Sequence, residues 1–232
     1  MKYVIKIENK LFMLNLNLID SELELVPEKM WDDYQIRKIA KNNGKNYKGM
    51  LLDSNYMHSA IDRYFPGMSN RMGRPDIFHM FLNVVQDSIL NRKGLLSVRI
   101  HTKNNIIIRI DQETRVPKSY NRFAGLMEKL LVSGKTETPD GKILMSAQEG
   151  KWDELLEKGM KNILLSPKGV RRSTSEICVE KDLNVFIGGF SDGDFTSDVY
   201  SRIESFSIFD DELTIWTVAW KIIGAYENIL NL

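Results

Sequence analysis

The chain is poor in the residues that build disulfides and metal centres: its 232 residues include one cysteine and three histidines. A single cysteine, Cys178, cannot form an internal disulfide or a thiolate metal cage, which excludes a zinc ribbon and favours a reducing compartment. The histidines are scattered without metal-ligand spacing, so no metal site is expected. We expect the Cys178 thiol to lie in the core.

Long hydrophobic runs are also missing. No uncharged apolar run approaches the roughly 18 residues that span a bilayer, and Lys2 and Lys6 lead to no small-residue cleavage site. A membrane or secreted protein is therefore not expected. The expected location is cytoplasmic, or nucleolar if the source is eukaryotic.

The overall composition is that of an ordinary globular domain, with 43% hydrophobic and 27% charged residues and a net charge of +1. That near-zero charge conceals two unequal segments. Residues 91–122 carry eight cations and two anions, a net charge of +6, and residues 190–232 carry two cations and eight anions, a net charge of −6. A polyanion responds to local potential within a Debye length of about 10 Å, so the basic stripe, residues 91–122, is a candidate nucleic-acid surface. The alternative is two solvated faces.

Short apolar runs alternate with helical periodicity along the chain, which is typical of an α/β domain. We predict strands at residues 11–18, 95–100, 106–110 and 183–190, of which the second and third form a hairpin or two adjacent strands. We predict helices after Pro27, from Pro75 onward, over 120–131 and over 213–230. The polar region 136–151 is interpreted as a linker or an insertion.

Three glycines lie where the predicted strand 183–190 runs into a loop: Gly188, Gly189 and Gly193. Backbone without a Cβ can approach a nucleotide-like ligand at the carboxyl ends of the strands of an open sheet. The spacing does not match the dinucleotide-binding fingerprint, and Asp192 and Asp194 would repel a phosphate. A tight turn that requires positive φ is the alternative.

Two segments, 71–76 and 114–123, combine cations with a proline that fixes the local backbone. Stiffly held guanidinium groups suit phosphate binding, and Tyr120 and Phe123 could stack on an unpaired base. The alternative is a buried Arg–Asp pair with two helix-packing aromatic residues. His79 lies one helical turn from Asp76, where a structural hydrogen bond is favoured over acid–base chemistry.

Several blocks occur in an order that resembles the ribosome-biogenesis pseudouridine N1-methyltransferase family, a branch of the SPOUT, or α/β-knot, methyltransferases. The blocks are Leu-Glu-Leu-Val-Pro at 23–27, Gly-Arg-Pro-Asp-Ile at 73–77, Thr-Arg-Val-Pro at 114–117, Asn-Arg-Phe at 121–123 with Gly-Leu-Met at 125–127, and Ile-Gly-Gly-Phe at 187–190. Each alone is weak, but their combination and separation are specific. Lys118 stands where the family commonly has arginine, and the bulky acidic segment 209–212 replaces a smaller loop.

The resemblance implies a single SPOUT-type methyltransferase domain over residues 1–232. Its fold would be α/β, an open sheet flanked by helices with a C-terminal trefoil knot and a small β-rich extension or insertion. It also implies an S-adenosyl-L-methionine cofactor, a homodimer, small-subunit ribosomal RNA as the macromolecular partner, and ribosomal assembly partners. The implied cofactor-binding residues are Leu165, Gly169, Gly188, Gly189, Gly193, Ile208, Leu213 and Thr214. The implied RNA-binding residues are Arg74, Arg115, Lys118 and Arg122.

The implied reaction is N1-methylation of a pseudouridine in small-subunit ribosomal RNA. In-line methyl transfer depends mainly on positioning, and the N1 proton must leave or be shared, so Asp76 is the candidate catalytic residue, as a base or an orienting group. The alternative function is a non-catalytic RNA-binding assembly factor for the small subunit. A dinucleotide-dependent oxidoreductase would bind NAD instead.

Overall fold

A computed structural model describes residues 13–179 and 182–232, and within them an eight-stranded sheet forms the centre of the molecule. The strands follow the spatial order β4-β5-β3-β2-β1-β7-β6-β8. Their bounds are β1 Leu14–Ser21, β2 Leu96–Thr102, β3 Ile106–Ile110, β4 Lys135–Glu137, β5 Ile143–Glu149, β6 Lys161–Arg171, β7 Leu183–Gly188 and β8 Glu204–Ser207.

Seven α-helices connect or cover these strands within the described residues. They are α1 Tyr34–Asn42, α2 Ser54–Tyr64, α3 Pro75–Gln86, α4 Ile89–Arg92, α5 Tyr120–Ser133, α6 Thr174–Ile177 and α7 Ile215–Leu230. None of the helices in this part of the chain is long and apolar enough to cross a membrane. As predicted, Pro75 occupies the first turn of α3, where its missing N–H removes no helical hydrogen bond.

Strands β2, β1, β7, β6 and β8 are mutually parallel, and their carboxyl ends meet at one edge of the sheet. Alternation along these strands divides the core into two faces. Leu16 and Val185 point to the face on which α3, α5 and α7 pack, whereas Ile19 and Phe186 point to a smaller cluster with Trp152. Burial on both faces explains why β7 reads as a nearly continuous apolar run.

Two of the sequence predictions require correction. Of the two interpretations of 136–151, the linker is wrong and the β-rich extension is confirmed, because β4 and β5 pair with each other and β5 pairs antiparallel with β3 at the edge of the sheet. The helix expected after Pro27 is a single short 3-10 turn, and α1 begins only at Tyr34, where the Asp33 side chain accepts hydrogen bonds from the first-turn N–H groups.

The other predicted elements agree with the structure. Strands β2 and β3 form an antiparallel hairpin, and the helices predicted over 120–131 and 213–230 are α5 and α7. The first predicted strand begins at residue 11, but residues 11 and 12 lie outside the described part of the chain. Cys178 is buried as expected, and burial raises the pKa of its thiol to about 12.

Candidate active site

A cavity lies at the carboxyl ends of β6, β7 and β8, where the loops that follow these strands converge. It is the edge at which an open α/β sheet binds its ligands. Five of the eight predicted cofactor-binding residues line it: Leu165, Gly188, Gly193, Ile208 and Leu213. The bulky acidic segment 209–212 also contributes to the lining through Phe209, Asp211 and Glu212.

The other three predicted cofactor-binding residues lie outside the cavity lining. A Cβ on Gly169 would lie 2.6 Å from Phe206 Cα, and one on Gly189 would lie 2.8 Å from Ser21 Cβ. These two glycines therefore allow close packing of backbone against a neighbouring strand. Thr214 is the residue that precedes α7, and its hydroxyl lies 2.7 Å from the Thr217 hydroxyl.

The cavity lining combines acidic and apolar side chains. Its described lining includes four carboxylates and neither lysine nor arginine; the carboxylates belong to Asp192, Asp194, Asp211 and Glu212. Burial raises the pKa of the Asp194 carboxyl, but hydrogen bonds from Lys168, the Phe195 N–H and Tyr200 outweigh it and hold that pKa below its ordinary value. Lys168 neutralises Asp194 at 2.6 Å, and the other three carboxylates of the lining favour a cationic or neutral ligand and would repel a diphosphate.

The loop after β7, residues 189–197, is the glycine loop, and two carboxylates at the end of β1 hold it in place. The Glu22 carboxylate accepts hydrogen bonds from the Ser191 N–H at 3.3 Å and from the Ser191 hydroxyl at 3.2 Å. At the other end of the loop, the Asp20 carboxylate accepts from the N–H groups of Thr196 at 2.7 Å and Ser197 at 2.9 Å. Residues at the end of the neighbouring strand therefore hold both ends of this loop.

Glu22 also joins this loop to the segment before α3. Its side chain is fully buried and lies 3.2 Å from Arg71 Nε and 3.0 Å from Lys103 Nζ. Sequence reasoning missed both Glu22 and Asp20 as functional residues. The available signal was their position, because acidic residues at the carboxyl end of an apolar parallel strand lie at the ligand-binding edge.

Arg71 lies across the glycine loop. Its guanidinium carbon is 4.8 Å from the centroid of the Phe190 ring, and Nη2 donates to the Asp194 carbonyl at 3.0 Å. Gly193 adopts φ +79° directly beneath this side chain. The positive φ and the proximity of Arg71 both disfavour any residue with a Cβ at position 193.

The predicted catalytic residue lies in the first turn of α3, paired with the residue that precedes the helix. Arg74 donates to Asp76 through Nε at 3.0 Å and through Nη2 at 2.9 Å, a bidentate pair that is about one-third exposed at Asp76. The hydrogen bonds with Asp76 raise the pKa of Arg74. Nearby, the Tyr120 hydroxyl donates to Asp53, and burial together with this bond raises the pKa of Tyr120.

The expectation that Phe123 offers a stacking surface to RNA is wrong. Its side chain is completely buried and stacks on the His79 ring at a centroid distance of 4.7 Å. His79 Nε2 lies 2.7 Å from the Pro117 carbonyl oxygen, so this histidine has the structural hydrogen bond that the sequence favoured, although its partner is not Asp76. Tyr120 is half-buried and committed to Asp53.

The basic stripe is not one continuous surface. Arg99 bonds internally to Asn17 and Glu157, and Lys103 bonds to Glu22, so two of its eight cations face inward. Arg115 and Arg122 are exposed and form no ion pair with the described residues, whereas Lys118 lies 3.6 Å from Asp87. Arg115 and Arg122 are therefore two exposed cations of the stripe that remain available to an external anion, and both belong to the residues predicted to bind RNA.

Replacing Glu22 with glutamine is expected to lower the free energy of unfolding by about 2 kcal/mol, because Arg71 and Lys103 lose their buried counter-charge. Urea denaturation measures the change. Glu204→Gln is the matched control, because Glu204 is exposed and its substitution should change stability by less than about 0.5 kcal/mol. Equal midpoints for the two variants would contradict the role given to Glu22.

Comparison with known proteins identifies the family and several relatives of this chain. A model of the EMG1/NEP1 methyltransferase family matches residues 16–227. The "Ribosomal RNA small subunit methyltransferase Nep1" of Thermoplasma volcanium is 51% identical over 222 residues, covering 95% of this chain and 100% of that protein. The protein of the same name from Thermoplasma acidophilum is 47% identical over 222 residues, with the same coverage.

A solved structure is similar over the same extent. The crystal structure of Archaeoglobus fulgidus Nep1 bound to S-adenosylhomocysteine has a TM-score of 0.85 and 29% sequence identity. The similarity covers 95% of this chain and 100% of that chain.

Proposed function

Because the chain belongs to the EMG1/NEP1 methyltransferase family, we propose that it is an S-adenosylmethionine-dependent methyltransferase of small-subunit ribosomal RNA that acts at N1 of a pseudouridine. The observation that supports this most strongly is the acidic cavity at the carboxyl ends of β6–β8. Segment 70–76 lies against the glycine loop at its start, where the Ser191 hydroxyl donates to the Asn70 carbonyl at 2.6 Å, and it carries Asp76 at its end.

The acidic and apolar side chains that line the cavity suit this cofactor. S-adenosylmethionine, when bound, supplies a methyl group on a positively charged sulfur. The carboxylates of the lining complement a cation, and the apolar side chains of Leu165, Ile208 and Leu213 can enclose a flat adenine. The same carboxylates disfavour the diphosphate of NAD, which argues against an oxidoreductase.

Asp76 is proposed to hold the nucleophile. The Arg74 fork uses one lone pair of each Asp76 oxygen, so each oxygen retains acceptor capacity for a base N–H. A carboxylate fixed in this way can accept the N1–H of pseudouridine, orient the ring and take up the charge as the proton is shared. Uridine has no proton at the corresponding position because its N1 is bonded to ribose.

The exposed cations are proposed to bind the RNA backbone. Arg115 and Lys118 precede α5, and Arg122 lies in its first turn. Arg115 and Arg122 form no ion pair with the described residues. Phosphate contacts of this kind fix the register of the RNA without reading its sequence. The target base must then leave its stack to reach Asp76.

RNA binding is expected to weaken steeply with salt. Three phosphate contacts to single-stranded RNA predict a slope of about −2 in a plot of log K against log salt concentration. Arg115→Gln or Arg122→Gln should each make the slope shallower by about 0.7. Filter binding or fluorescence anisotropy between low and moderate salt measures the slope. Lys41→Gln on exposed α1 is the control, and a wild-type slope near zero would refute this surface.

A homodimer is proposed as the functional assembly. Helices α3 and α7 pack against each other, and both carry large apolar side chains on the surface, namely Met80, Trp220 and Ile229. A second copy of the chain would bury them. Assembly partners of the small subunit are a further expectation from the same family membership.

The proposed activity is tested by measuring methyl transfer from labelled S-adenosylmethionine to a hairpin RNA with one pseudouridine in its loop. A hairpin with uridine at that position is the control and is expected to remain unlabelled. Equal labelling of both hairpins would refute the proposed N1 specificity. Tight binding of both RNAs without any transfer would refute the enzyme and favour a role in assembly alone.

A further inference from the structure

A second groove lies beside α3, outside the cavity at the strand ends. Its walls are the C-terminal half of α3, the short helix α4 and the segment 112–118. It has a volume of about 720 Å³, which is within the range of small-molecule sites. The groove is separate from the cofactor cavity, and it shares only Arg115 and Lys118 with the surface proposed above for the RNA backbone.

The groove is lined by an unusual number of amide side chains, those of Asn83, Gln86, Asn91 and Gln112. Three of their buried polar atoms have no hydrogen-bond partner among the residues that the structure describes: Asn83 Oδ1, Gln86 Nε2 and Asn91 Oδ1. The other polar atom of each amide is hydrogen-bonded: Asn83 Nδ2 donates to the His79 carbonyl at 2.8 Å, and Asn91 Nδ2 donates to Gln86 Oε1 at 3.0 Å. One donor and two acceptors are therefore left without a partner in one place.

Unpartnered polar atoms at a groove point to a polar ligand, since leaving them unpaired costs free energy. Asn83 and Gln86 are only partly buried and line the groove, so their side chains lie at its surface. Paired donor and acceptor groups of asparagine and glutamine match the edges of nucleobases, which also present donors and acceptors side by side. The half-buried Val116 offers an apolar surface for the face of a ring.

The charges around the groove favour a phosphate beside that base. Asp87 is neutralised by Arg92 at 2.6 Å and by Lys118 at 3.6 Å, and Glu113 by Lys142 at 2.9 Å. The remaining lining charge, on Arg115, has no partner among the described residues. The groove thus combines free amides with one free guanidinium.

The position of the groove relates it to the reaction. Asn83 lies seven residues after Asp76 on α3, which is close to two helical turns, so both residues lie on the same side of the helix about 10 Å apart along its axis. That separation corresponds to one or two nucleotides of an extended strand.

We propose that this groove binds an unpaired nucleotide that flanks the target pseudouridine, with its base on the amides of Asn83 and Gln86 and its phosphate on Arg115. The proposal rests on the proposed function and extends it from methyl transfer to recognition of the surrounding sequence. The amides read the base, and the phosphate contact alone would not discriminate between sequences.

The test combines abasic RNA with amide variants. Each loop nucleotide within two positions of the pseudouridine is replaced in turn by an abasic residue, and affinity is measured for the wild type, Asn83→Ala and Gln86→Ala. We expect one abasic position to weaken wild-type binding about tenfold and each variant to weaken binding of the intact hairpin to a similar degree. RNA that is abasic at that position should bind the variants no more weakly than it binds the wild type, because the contact that each variant removes is already absent. Gln148→Ala, which removes an exposed amide from β5, is the matched control and should bind like the wild type.

The outcomes separate this proposal from the proposed function. Wild-type affinity that is unchanged within twofold at every abasic position would overturn the groove, as would losses that add fully in the variants. Because the abasic series on wild-type protein does not depend on any variant folding, it decides the first case alone. Methyl transfer to the intact hairpin is measured in parallel, so that its absence overturns the proposed function while its presence without coupling overturns the groove only.

Discussion

Asp76→Asn is expected to reduce methyl transfer to a pseudouridine hairpin by about a hundredfold, with RNA affinity within about threefold of the wild type. The amide keeps the size of the carboxylate and one acceptor oxygen, but it loses the charge that accepts the N1 proton. Its NH2 group would also face Arg74, whose guanidinium now donates to both Asp76 oxygens at 3.0 and 2.9 Å. The loss therefore belongs to kcat and not to RNA binding.

Single-turnover transfer and equilibrium binding, measured on the same hairpin, separate the two effects. Asp32→Asn is the matched control, since Asp32 also pairs with an arginine, Arg37, but on the exposed turn before α1. It should leave both quantities unchanged. If Asp76→Asn transferred the methyl group at the wild-type rate, Asp76 would have no part in the mechanism.

Gly169→Ala is expected to destabilise the protein by about 3 kcal/mol, although Gly169 is outside the cavity lining. Strand β6 bulges here, because Leu165 and Val170 both pair with Phe206 of β8 and residues 166–169 loop out between them. A Cβ on Gly169 would lie 2.6 Å from Phe206 Cα, and backbone of a paired strand cannot move aside as a flexible side chain can.

Urea or thermal denaturation measures this change. Gly159→Ala is the control, since a Cβ there meets no atom of the described residues within 4 Å and its φ is not in the positive region, so alanine should be neutral or slightly stabilising. Calorimetric titration of the folded Gly169→Ala protein with S-adenosylmethionine should give an affinity close to that of the wild type. A large loss of affinity with unchanged stability would instead place Gly169 in contact with the cofactor.

The glycine loop shows how far sequence reasoning reached at the site. Three glycines after an apolar strand predicted a ligand loop, and Gly188 and Gly193 do line the cavity. Gly189 is one residue away in sequence but faces Ser21 on the neighbouring strand. Nothing in the local sequence distinguishes these glycines, because the difference is which strand lies beside each one.

The basic segment shows the same limit for charge. Its excess of cations was visible in the sequence, yet Arg99 and Lys103 form ion pairs with Glu157 and Glu22, which are distant along the chain. Phe123 shows the same limit. An aromatic residue beside cations suggested base stacking, but its position on α5 buries the ring against His79. Composition gives the charge of a segment, and only packing decides which charges reach solvent.

The sequence by itself determined the α/β class, the start of α3 at Pro75, the buried strand β7 and the family blocks, because periodicity, proline and glycine act on their immediate neighbours. The tertiary structure alone decided that 135–149 joins the sheet, that Glu22 and Asp20 hold the loop after β7, and that amides from α3 and α4 meet segment 112–118 in one groove. Those contacts join residues that are far apart in the chain, and their partners are specified only when the sheet places the strands side by side.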